Sequence, residues 1–543
     1  MQIQRGVGTF TNGTGAFGAS INLETQHFSS DAYGEVTYNI GSFNTNRKSM
    51  ALGSGLLGKG YFLEGRYTDI KSDGYIDRAW ADMQQYFVQG GFYNGQTLVK
   101  AIAFGGLEET YQAWNGVDSS TIEARGRTFN SAGIYGADDG TENVYENFID
   151  HYQQDHQQLI ISHAFNRQLS ANVTLHHTHG MGYYEEYMHG DSVKNYTNQA
   201  IAVQKDSVTF DTVFTANLAR RLWLDNDFYG VAGSVTCKLP NVSQIIGGGA
   251  SFYPDAQHFG EIIESSEHTI LVPGHEFYRN TADKNEWNVF SKTSYDINAR
   301  LGLYFDLQVR GINYQARGLN REYDNRTIDI KDDWLFFNPK AGLTYQPARS
   351  LMVYGYYAQT HREPNRKDFL NMSSPKAEKL EDVELGFRFE NALFNASLNG
   401  FYMKYTDQLV NTGKVDGGGA PIHQNVENSY RLGLEASGAA IYRNWFASAN
   451  FTLMDSKIVL DNDTVFAIDT TNKNIVKQGN KFYTSVSYSP NTIASGTIGY
   501  NANNGFGTNV SAKHVGQYFI NNTSDDNFKV KGYVKFDTQV AIA

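Results

Sequence analysis

Residues Leu301–Ile312 read LGLYFDLQVRGI, so apolar and polar side chains alternate along this segment. Leu303 and Phe305 have one parity, whereas Asp306 and Gln308 have the other. Because successive side chains of a strand point to opposite faces, the pattern predicts a strand with one apolar and one polar face. In a soluble sandwich the polar face would contact water and the apolar face a core.

The same alternation recurs along almost the whole chain, for example in Val383–Phe389, Phe394–Asn399 and Trp445–Leu453. No complementary helical segments are present to cover the apolar faces. A closed sheet with lipid outside and a wet lumen inside requires this repetition. The sequence therefore predicts an all-β protein, a transmembrane antiparallel β-barrel. The alternative is a soluble β-sandwich, which would bury the apolar side chains between two stacked sheets.

The parity also assigns individual side chains to the two faces of the barrel wall. We expect lipid to contact Leu303, Phe305, Leu385, Phe387 and Leu398. We expect the lumen to be lined by Asp306, Glu384, Arg388 and Asn395.

Composition favours a barrel over other classes of protein. Mean hydropathy is −0.46, so no stretch reaches the roughly 20 apolar residues of a transmembrane helix. The 35 Tyr and 34 Phe suit the aromatic girdles of a membrane barrel. A soluble propeller or solenoid would need an internal repeat of roughly 20–50 residues, and none is visible. The net charge of −12 argues against a nucleic-acid partner, which needs clustered Lys and Arg.

Short and long connections alternate along the chain. Short turns are predicted at Leu57–Gly60, Asn94-Gly95, Asn166-Arg167, Pro347–Arg349, Asn391-Ala392, Tyr442–Asn444 and Asn501–Gly505. Long polar loops are predicted at Asn115–Asp150, Met188–Thr212, Tyr253–Asn285, Ala316–Asp333, Glu363–Lys376, Asn411–Gln424 and Lys457–Asn491. Periplasmic turns and external loops give this alternation. It predicts about twenty strands, the first near Tyr33–Phe43 and the last near Gly532–Ala543. Because so wide a barrel is normally plugged, a plug is expected.

The start of the chain is too rich in glycine for a membrane strand, since Gln4–Gln26 reads QRGVGTFTNGTGAFGASINLETQ. A phosphate-binding loop is the alternative, but it would need a preceding strand, a following helix and a lysine. Through Arg5–Val7, Phe17–Leu23 and Thr25 the segment instead resembles the plug end of TonB-dependent outer-membrane receptors of the Bacteroidetes type. Further matches to this family are Thr110–Gly116, Trp223–Gly230, Asn338–Leu343, Arg362–Phe369, Glu378–Gly386, Asp407–Gly413 and Asn425–Glu435.

The resemblance implies a domain organisation. Residues 1–26 would be the C-terminal end of a plug domain, and residues 27–543 a barrel with about 20 of an expected 22 strands. Most of the plug, with its TonB box, would precede the first residue, and two more strands would follow the last. The sequence also begins without a secretion signal. It is therefore expected to be an internal fragment of a receptor.

The resemblance also implies active uptake of a scarce nutrient across the outer membrane. A ferric siderophore is expected first, with haem, cobalamin or another bulky nutrient as alternatives. The TonB–ExbB–ExbD complex would supply mechanical work through the plug, and outer-membrane lipid would surround the barrel. No cofactor and no catalytic residue is expected. A passive porin would have no use for a plug, and an outer-membrane hydrolase would need a nucleophile motif such as G-x-S-x-G.

Ligand contacts are expected from the long loops, because loops on a rigid scaffold carry recognition. The candidate residues are Trp114, Tyr183, Tyr184, Tyr187 and Trp334, and a place in the interfacial girdle is the alternative for each. His177 and His179 would share a strand face and could bind a metal ion. The simpler interpretation is that these histidines make hydrogen bonds with neighbouring groups and water.

A lock between plug and barrel is the most specific expectation. In this family plug arginines commonly pair with barrel glutamates, which implies a pairing of Arg5 with Glu384 and Glu435. Both glutamates lie on the polar parity of their strands, and a guanidinium fork can bind a carboxylate with two parallel hydrogen bonds. The alternative is that both glutamates merely line a wet lumen among other charges.

Overall fold

The computed structural model describes residues 2–12, 17–22, 28–136, 140–197, 201–204, 210–213, 215–266, 271–321, 325–415, 421–461, 476–478 and 481–542. Within these residues, twenty long strands form one antiparallel sheet that curls into a barrel. Numbered in chain order, they are β1 (Ala32–Ile40), β2 (Asn46–Ser54), β3 (Tyr61–Ser72), β4 (Ala81–Tyr93), β5 (Thr97–Tyr111), β6 (Ile149–Ala164), β7 (Leu169–Ser192), β8 (Thr215–Lys238), β9 (Val242–Ser265), β10 (Glu276–Asn298), β11 (Leu301–Asn320), β12 (Arg326–Ala348), β13 (Leu351–Arg362), β14 (Glu378–Glu390), β15 (Phe394–Val415), β16 (Pro421–Tyr442), β17 (Trp445–Asp461), β18 (Thr492–Asn501), β19 (Phe506–Val515) and β20 (Tyr533–Ile542).

Each of these strands pairs with the next one along the chain. The predicted fold class is therefore confirmed, together with the number of strands. Shorter elements lie in the connections: α1 (Ser119–Arg125), α2 (Arg366–Asn371), the 3-10 turns Val193–Asn195 and Asp526–Phe528, and the strands Ile134–Gly136, Glu142–Val144, Ile201–Gln204, Phe210–Val213, Val476–Gln478, Lys481–Ser485, Tyr518–Phe519 and Lys529–Val530. In the part of the chain that the structure describes, no helix has the length and apolar character to cross a membrane.

Short and long connections alternate as predicted. Residues 239–241 join β8 to β9, and residues 349–350 join β12 to β13. The connections at the other end of the barrel include residues 112–148, between β5 and β6, and residues 363–377, between β13 and β14. These two long connections therefore lie at the same rim.

Three of the predicted loops are wrong in extent: Tyr253–Asn285, Ala316–Asp333 and Asn411–Gln424. In the first case β9 continues to Ser265 and β10 begins at Glu276. β9 has 24 residues, more than twice the roughly 9–11 that cross a membrane. Its outer part extends past that length, and Ile262 there is buried in an apolar cluster with Leu222 and Phe277. The regular alternation of a membrane strand therefore does not continue into this part of the sequence.

Side-chain exposure follows the predicted parity at the centre of the sheet. Phe305 is 43% exposed and Leu385 66%, whereas Asp306 is 0% and Glu384 5% exposed. Of the other side chains assigned to a face, Phe387, Arg388 and Asn395 are exposed, and Leu303 and Leu398 are half-buried. Arg388 and Asn395 lie next to the turn after β14, where exposure does not distinguish the two faces. The exposed apolar side chains exclude a sandwich in which two sheets would cover them.

A segment from the start of the chain lies inside the barrel and is here called the plug segment (residues 2–12 and 17–22). Its strand Gln2–Arg5 pairs with Ala19–Asn22, and a 3-10 turn, Phe10–Asn12, lies between the two strands. The predicted domain boundary at residue 26 lies outside the described residues and stays a prediction.

Candidate functional site

The plug segment inserts two apolar side chains into the barrel wall. Val7 is 0% and Phe10 1% exposed. Their neighbours come from β10, β13, β14 and β15 and are Phe290, Ala358, Leu380, Phe401, Met403 and Tyr405. Full burial of a side chain of this size stabilises by about 1.5–3 kcal/mol. This cluster, here called the plug seat, therefore fixes the plug segment against one side of the lumen.

Charged side chains of the barrel bind the backbone of the plug segment at the plug seat. Asp306 accepts a hydrogen bond from the Phe10 amide at 3.1 Å, and Asp382 accepts one from the Val7 amide at 3.4 Å. The Lys340 ammonium donates to the Val7 carbonyl at 2.7 Å. These contacts satisfy backbone groups that burial removes from water. They also place the barrel side chains that make them on the lumen face.

Asp306 makes the largest number of these contacts. Its Oδ2 atom also accepts hydrogen bonds from the Thr9 hydroxyl at 3.0 Å and from the Tyr304 hydroxyl at 2.9 Å. Lys292 donates to the same Thr9 hydroxyl at 3.1 Å. Hydrogen bonds to a charged group are each worth about 1.5–3 kcal/mol. Asp306 is therefore the main polar anchor of the plug segment.

Replacing Gly6 with alanine is expected to weaken the plug seat. Gly6 has a φ of +69°, and an added β-carbon would lie 2.3 Å from Asp382 Oδ2. The strain and the overlap should cost roughly 1–3 kcal/mol. Amide hydrogen exchange at Val7 should then be about tenfold faster than in the unaltered protein. Gly116→Ala is the matched control, because a β-carbon there meets open space. Equal exchange at Val7 in the two variants would contradict the expectation.

The aromatic ring of Phe17 ties the second half of the plug segment to the wall. It packs edge-on against Tyr405 with ring centroids 5.6 Å apart, and the Arg362 guanidinium lies 4.9 Å from its centroid. Arg362 Nε also donates to Glu378 Oε2 at 2.5 Å. Glu378 is fully buried, so its charge holds the guanidinium over the ring.

The expected lock between Arg5 and the two glutamates stays a prediction, because the Arg5 side chain lies outside the described residues. Glu384 is buried beside the plug segment, where a β-carbon on Gly6 would lie 3.1 Å from its Oε1 atom. Its Oε2 atom accepts a hydrogen bond from Asn399 at 2.7 Å. Glu435 is half-buried on β16, and its register partner on β15 is the same Asn399.

Sequence reasoning missed most of the barrel side of the plug seat. It assigned Asp306 to the lumen but not to the plug. Lys340 lies within Asn338–Leu343 and Asp382 within Glu378–Gly386, two of the segments that match the family. The polar parity of their strands was the available signal. Parity places a side chain in the lumen, but it does not say which lumen residues the plug segment meets.

The connection between β13 and β14 turns into the barrel. Its residues 363–371 are here called the strap. Phe369 of the strap lies 6.0 Å from the ring of Tyr314 and 6.3 Å from that of Trp334. Tyr314 has the parity of Asp306 on β11, and Trp334 that of Lys340 on β12, so both face the lumen. The strap therefore crosses the lumen wall on the loop side of the plug seat.

Hydrogen bonds within the strap and contacts with distant barrel strands both hold the strap in place. Asn365 caps α2 by accepting from the Asp368 amide at 3.0 Å, and the Asp368 carboxylate accepts from the Asn365 amide at 2.8 Å. This is the capping box that an Asn three residues before an acidic residue favours. Asp368 also pairs with His423 of β16 at 2.9 Å. Arg366 donates to Asn280 of β10 at 2.7 Å.

A buried network of four charges fixes the start of the strap. Arg310 is 5% exposed, and its guanidinium makes two hydrogen bonds with Glu286, both 2.9 Å long. It makes two more with Glu363, of 2.8 and 2.9 Å. Lys284 pairs with Glu363 at 2.6 Å. Two carboxylates and two cations balance, and the paired geometry is the strong form of this interaction.

The network should persist to mildly acidic pH. Burial raises the pKa of Glu363, but the charges of Arg310 and Lys284 lower it by more, so the pKa lies below its ordinary value. A lowered pKa contributes stability that is present above the unfolded value, about 4.3, and is lost as pH falls through the folded value. Amide protection at Phe369, corrected for intrinsic exchange, should therefore stay constant from about pH 7 to 5 and fall only below about pH 4. Loss of protection near pH 6 would contradict this assignment.

The aromatic residues proposed as ligand contacts divide between the two faces of the wall. Trp334 lies in the lumen against the strap. Trp114 is 56% exposed in the connection after β5, and its ring lies 6.0 Å from Tyr184 in an edge contact. Trp334 is thus positioned by β12, Trp114 by a long loop, and Tyr184 by β7.

Tyr183 and Tyr187 have the opposite parity from Tyr184 on β7. They share it with Leu175, which is 47% exposed on the outer face. Tyr183 packs against Trp223 at 4.5 Å and lies under the Arg221 guanidinium at 4.1 Å. The position of Tyr183 fits the interfacial girdle that was its alternative, whereas Tyr187 packs against Tyr135 and Tyr145 of the connection after β5. A role in ligand contact stays a prediction for both.

Two histidines of β7, His177 and His179, are satisfied by neighbouring side chains. His177 and His179 share a face, as predicted, and both contact Asp227 Oδ1, at 2.7 and 3.3 Å. His177 also pairs with Gln157 at 2.7 Å. His176 points to the other face and packs against Phe228. Within the described ranges, no group of three or more His, Cys, Asp or Glu side chains is arranged to hold a metal ion.

Comparison with known families finds a match that spans most of the barrel. Residues 91–542 match the model of the family described as TonB dependent receptor-like, beta-barrel. Among curated proteins, none has a sequence that matches the chain significantly.

Several solved structures share the fold over nearly the whole chain. The ferric-catecholate import receptor Fiu of E. coli K12 is 14% identical, with a TM-score of 0.67, over 99% of this chain and 79% of its own. The siderophore receptor PiuA of Acinetobacter baumannii is 14% identical, with a TM-score of 0.70, over 99% and 79%. The copper transporter OprC is 13% identical, with a TM-score of 0.71, over 100% and 77%. At these identities the likeness establishes the fold.

Proposed function

This chain belongs to the TonB-dependent receptors of the outer membrane, and on that premise we propose that it takes up a ferric siderophore. The family is one of receptors and transporters, and its members lie in the outer membrane. The observation that carries the proposal is the plug segment seated in the lumen through Val7, Phe10 and Asp306. A passive porin needs an open channel, whereas a wall built to grip a plug serves gated uptake.

The chemistry of the lumen supports a bulky aromatic or anionic ligand. Trp334, Tyr314 and Phe369 form a ring cluster where the strap meets the wall. Arg366 lies next to it on the strap and adds a cationic group. Pockets of large rings with a few charged groups are typical of small-ligand sites. Fiu is a ferric-catecholate import receptor and PiuA a siderophore receptor, so receptors of this fold take such ligands.

Release of the ligand into the periplasm requires work on the plug. We assign this work to a TonB–ExbB–ExbD complex that pulls on the plug domain, because the outer membrane holds no proton gradient of its own. Asp306, Asp382 and Lys340 would hold the plug segment against that force. Outer-membrane lipid would contact the apolar outer face, which includes Phe305 and Leu385.

Trp334→Ala tests the ligand site. Uptake of a radiolabelled ferric catecholate by iron-starved cells is expected to need roughly tenfold more ligand for the half-maximal rate, because a ring contact worth about 1.4 kcal/mol is lost. Trp445→Ala is the matched control, because this exposed tryptophan lies beside the short turn between β16 and β17, away from the loop rim; it should leave uptake unchanged. Equal uptake by the two variants would remove Trp334 from the site. Uptake of copper or haem in place of every ferric siderophore tried would overturn the ligand class.

A further inference from the structure

Three consecutive residues join the strap to the barrel, and each has a different partner. His361 and Arg362 end β13, and Glu363 begins the strap; these three are here called the strap root. The sequence around them, Arg362–Phe369, matched the family, but uptake as proposed above assigns them no role. Their contacts lead to the plug segment by two routes.

The first route is direct. The Arg362 guanidinium lies 4.9 Å from the ring centroid of Phe17 in the plug segment and donates to the buried Glu378 carboxylate. Glu378 also accepts a hydrogen bond from the Leu409 amide at 2.8 Å, so its position is fixed by β15. A shift of the strap root would therefore move a charged group off the Phe17 ring.

The second route runs along β11, where Asp306, Gln308 and Arg310 all face the lumen. They are 0%, 1% and 5% exposed, respectively. Arg310 binds Glu363 of the strap root, and Asp306 binds the plug segment at Phe10. About 6.6 Å separates successive side chains on one face of a strand, so the column spans the gap between strap and plug.

The middle residue of this column is tied to the strap root as well. Asn338 donates to Gln308 at 3.0 Å, and its own side-chain oxygen pairs with His361 at 2.9 Å. Asn338 is 0% exposed. The His361 ring is stacked on Phe336 with centroids 5.0 Å apart and planes 2° from parallel. Close packing of this kind transmits displacement instead of absorbing it.

From these contacts we propose that the strap root couples the strap to the plug seat, so that displacement of the strap loosens the plug segment. A ligand that enters at the loop rim meets the strap before it meets the plug seat. A ligand that binds better to the displaced strap would then shift the plug segment toward its released state. The coupling goes beyond the proposed uptake, because it holds for any ligand that moves the strap.

The test needs no ligand, since a variant at the tip of the strap supplies the displacement. Phe369→Ala removes the ring contacts that hold the tip, and Glu363→Gln breaks the charge pair at the root while keeping its size. In the full chain purified from the outer membrane, Phe369→Ala is expected to raise amide exchange at Val7 and Phe10 by about tenfold. In the Glu363→Gln background the same change should raise exchange by a smaller factor, because the Arg310 route is broken while the Arg362 contact with Phe17 remains.

Two results would overturn the coupling. In the first, Phe369→Ala speeds exchange only within residues 363–371 and leaves Val7 and Phe10 unchanged. In the second, Phe369→Ala speeds exchange in the plug segment by the same factor in the Glu363→Gln background as in the otherwise unaltered protein. Unchanged exchange in β3 and β4 reports that the barrel is folded in each variant, and Asp368→Asn replaces Phe369→Ala if that variant does not fold. The experiment measures amide exchange in the plug segment without any ligand. Its result therefore remains valid even if the proposed class of ligand is wrong.

Discussion

Asp306→Ala is expected to release the plug segment from the barrel wall. The substitution removes the acceptor for the Phe10 amide and for the hydroxyls of Thr9 and Tyr304. It also takes a buried negative charge away from the lysines at the plug seat. Breaking a buried charged contact costs about 3–5 kcal/mol. Amide exchange at Phe10 should therefore be faster by a factor on the order of 100 or more.

The matched control for this prediction is Asp329→Ala. Asp329 is an exposed acid on the neighbouring β12, and its removal should leave exchange at Phe10 unchanged. Asp306→Asn keeps an acceptor oxygen, so its rate of amide exchange at Phe10 should lie between the rates of Asp306→Ala and Asp329→Ala. Phe10 protection as high in Asp306→Ala as in the control would show that Asp306 is not needed to hold the plug segment.

The second large effect is expected for Arg310→Met. Met fills much of the same volume but leaves Glu286 and Glu363 buried without their shared cation, a loss of roughly 3–5 kcal/mol. The strap should detach, so protection at residues 363–371 should fall by a factor on the order of 100 or more in hydrogen exchange. Arg310→Lys should restore only part of the protection of the strap, because an ammonium cannot make paired hydrogen bonds with Glu286 and Glu363 at once.

Arg388→Met is the control for Arg310→Met, since Arg388 is an exposed arginine on β14. It should leave protection of the strap unchanged. A strap that stays protected in Arg310→Met would mean that its other contacts, including the pair of Asp368 and His423, hold it without the buried network.

Much of the fold could be predicted from the sequence because a membrane barrel repeats one local rule. Alternation in Leu301–Ile312 follows from contact with lipid on one side and polar surroundings on the other, and each membrane strand carries this information locally. The short turns are also predictable from neighbouring residues alone, since Asn391 and the residues beside it connect two strands that are adjacent in the sequence. Where a strand extends past the membrane, as β9 does to Ser265, the rule no longer applies, and loop boundaries were misplaced.

The candidate site was less predictable because its contacts join residues far apart in the chain. Asp306 and Phe10 are separated by 296 positions, and no local pattern relates them. The strap has a local signal in the capping box of Asn365 and Asp368. Its inward course depends on Arg310, which the sequence shows only as one more polar residue on a strand. Parity therefore predicts which residues face the lumen, and long-range packing decides which of them act together.

Energised uptake through a plugged barrel makes accumulation of the ligand depend on the proton gradient of the inner membrane. Iron-starved cells that produce this receptor are given a radiolabelled ferric catecholate, and accumulation is followed before and after the proton gradient of the inner membrane is collapsed. Accumulation should depend on the receptor and stop when the gradient is lost. Accumulation that continues at the same rate without the gradient would mean passive passage through the barrel, and energised uptake would then be wrong.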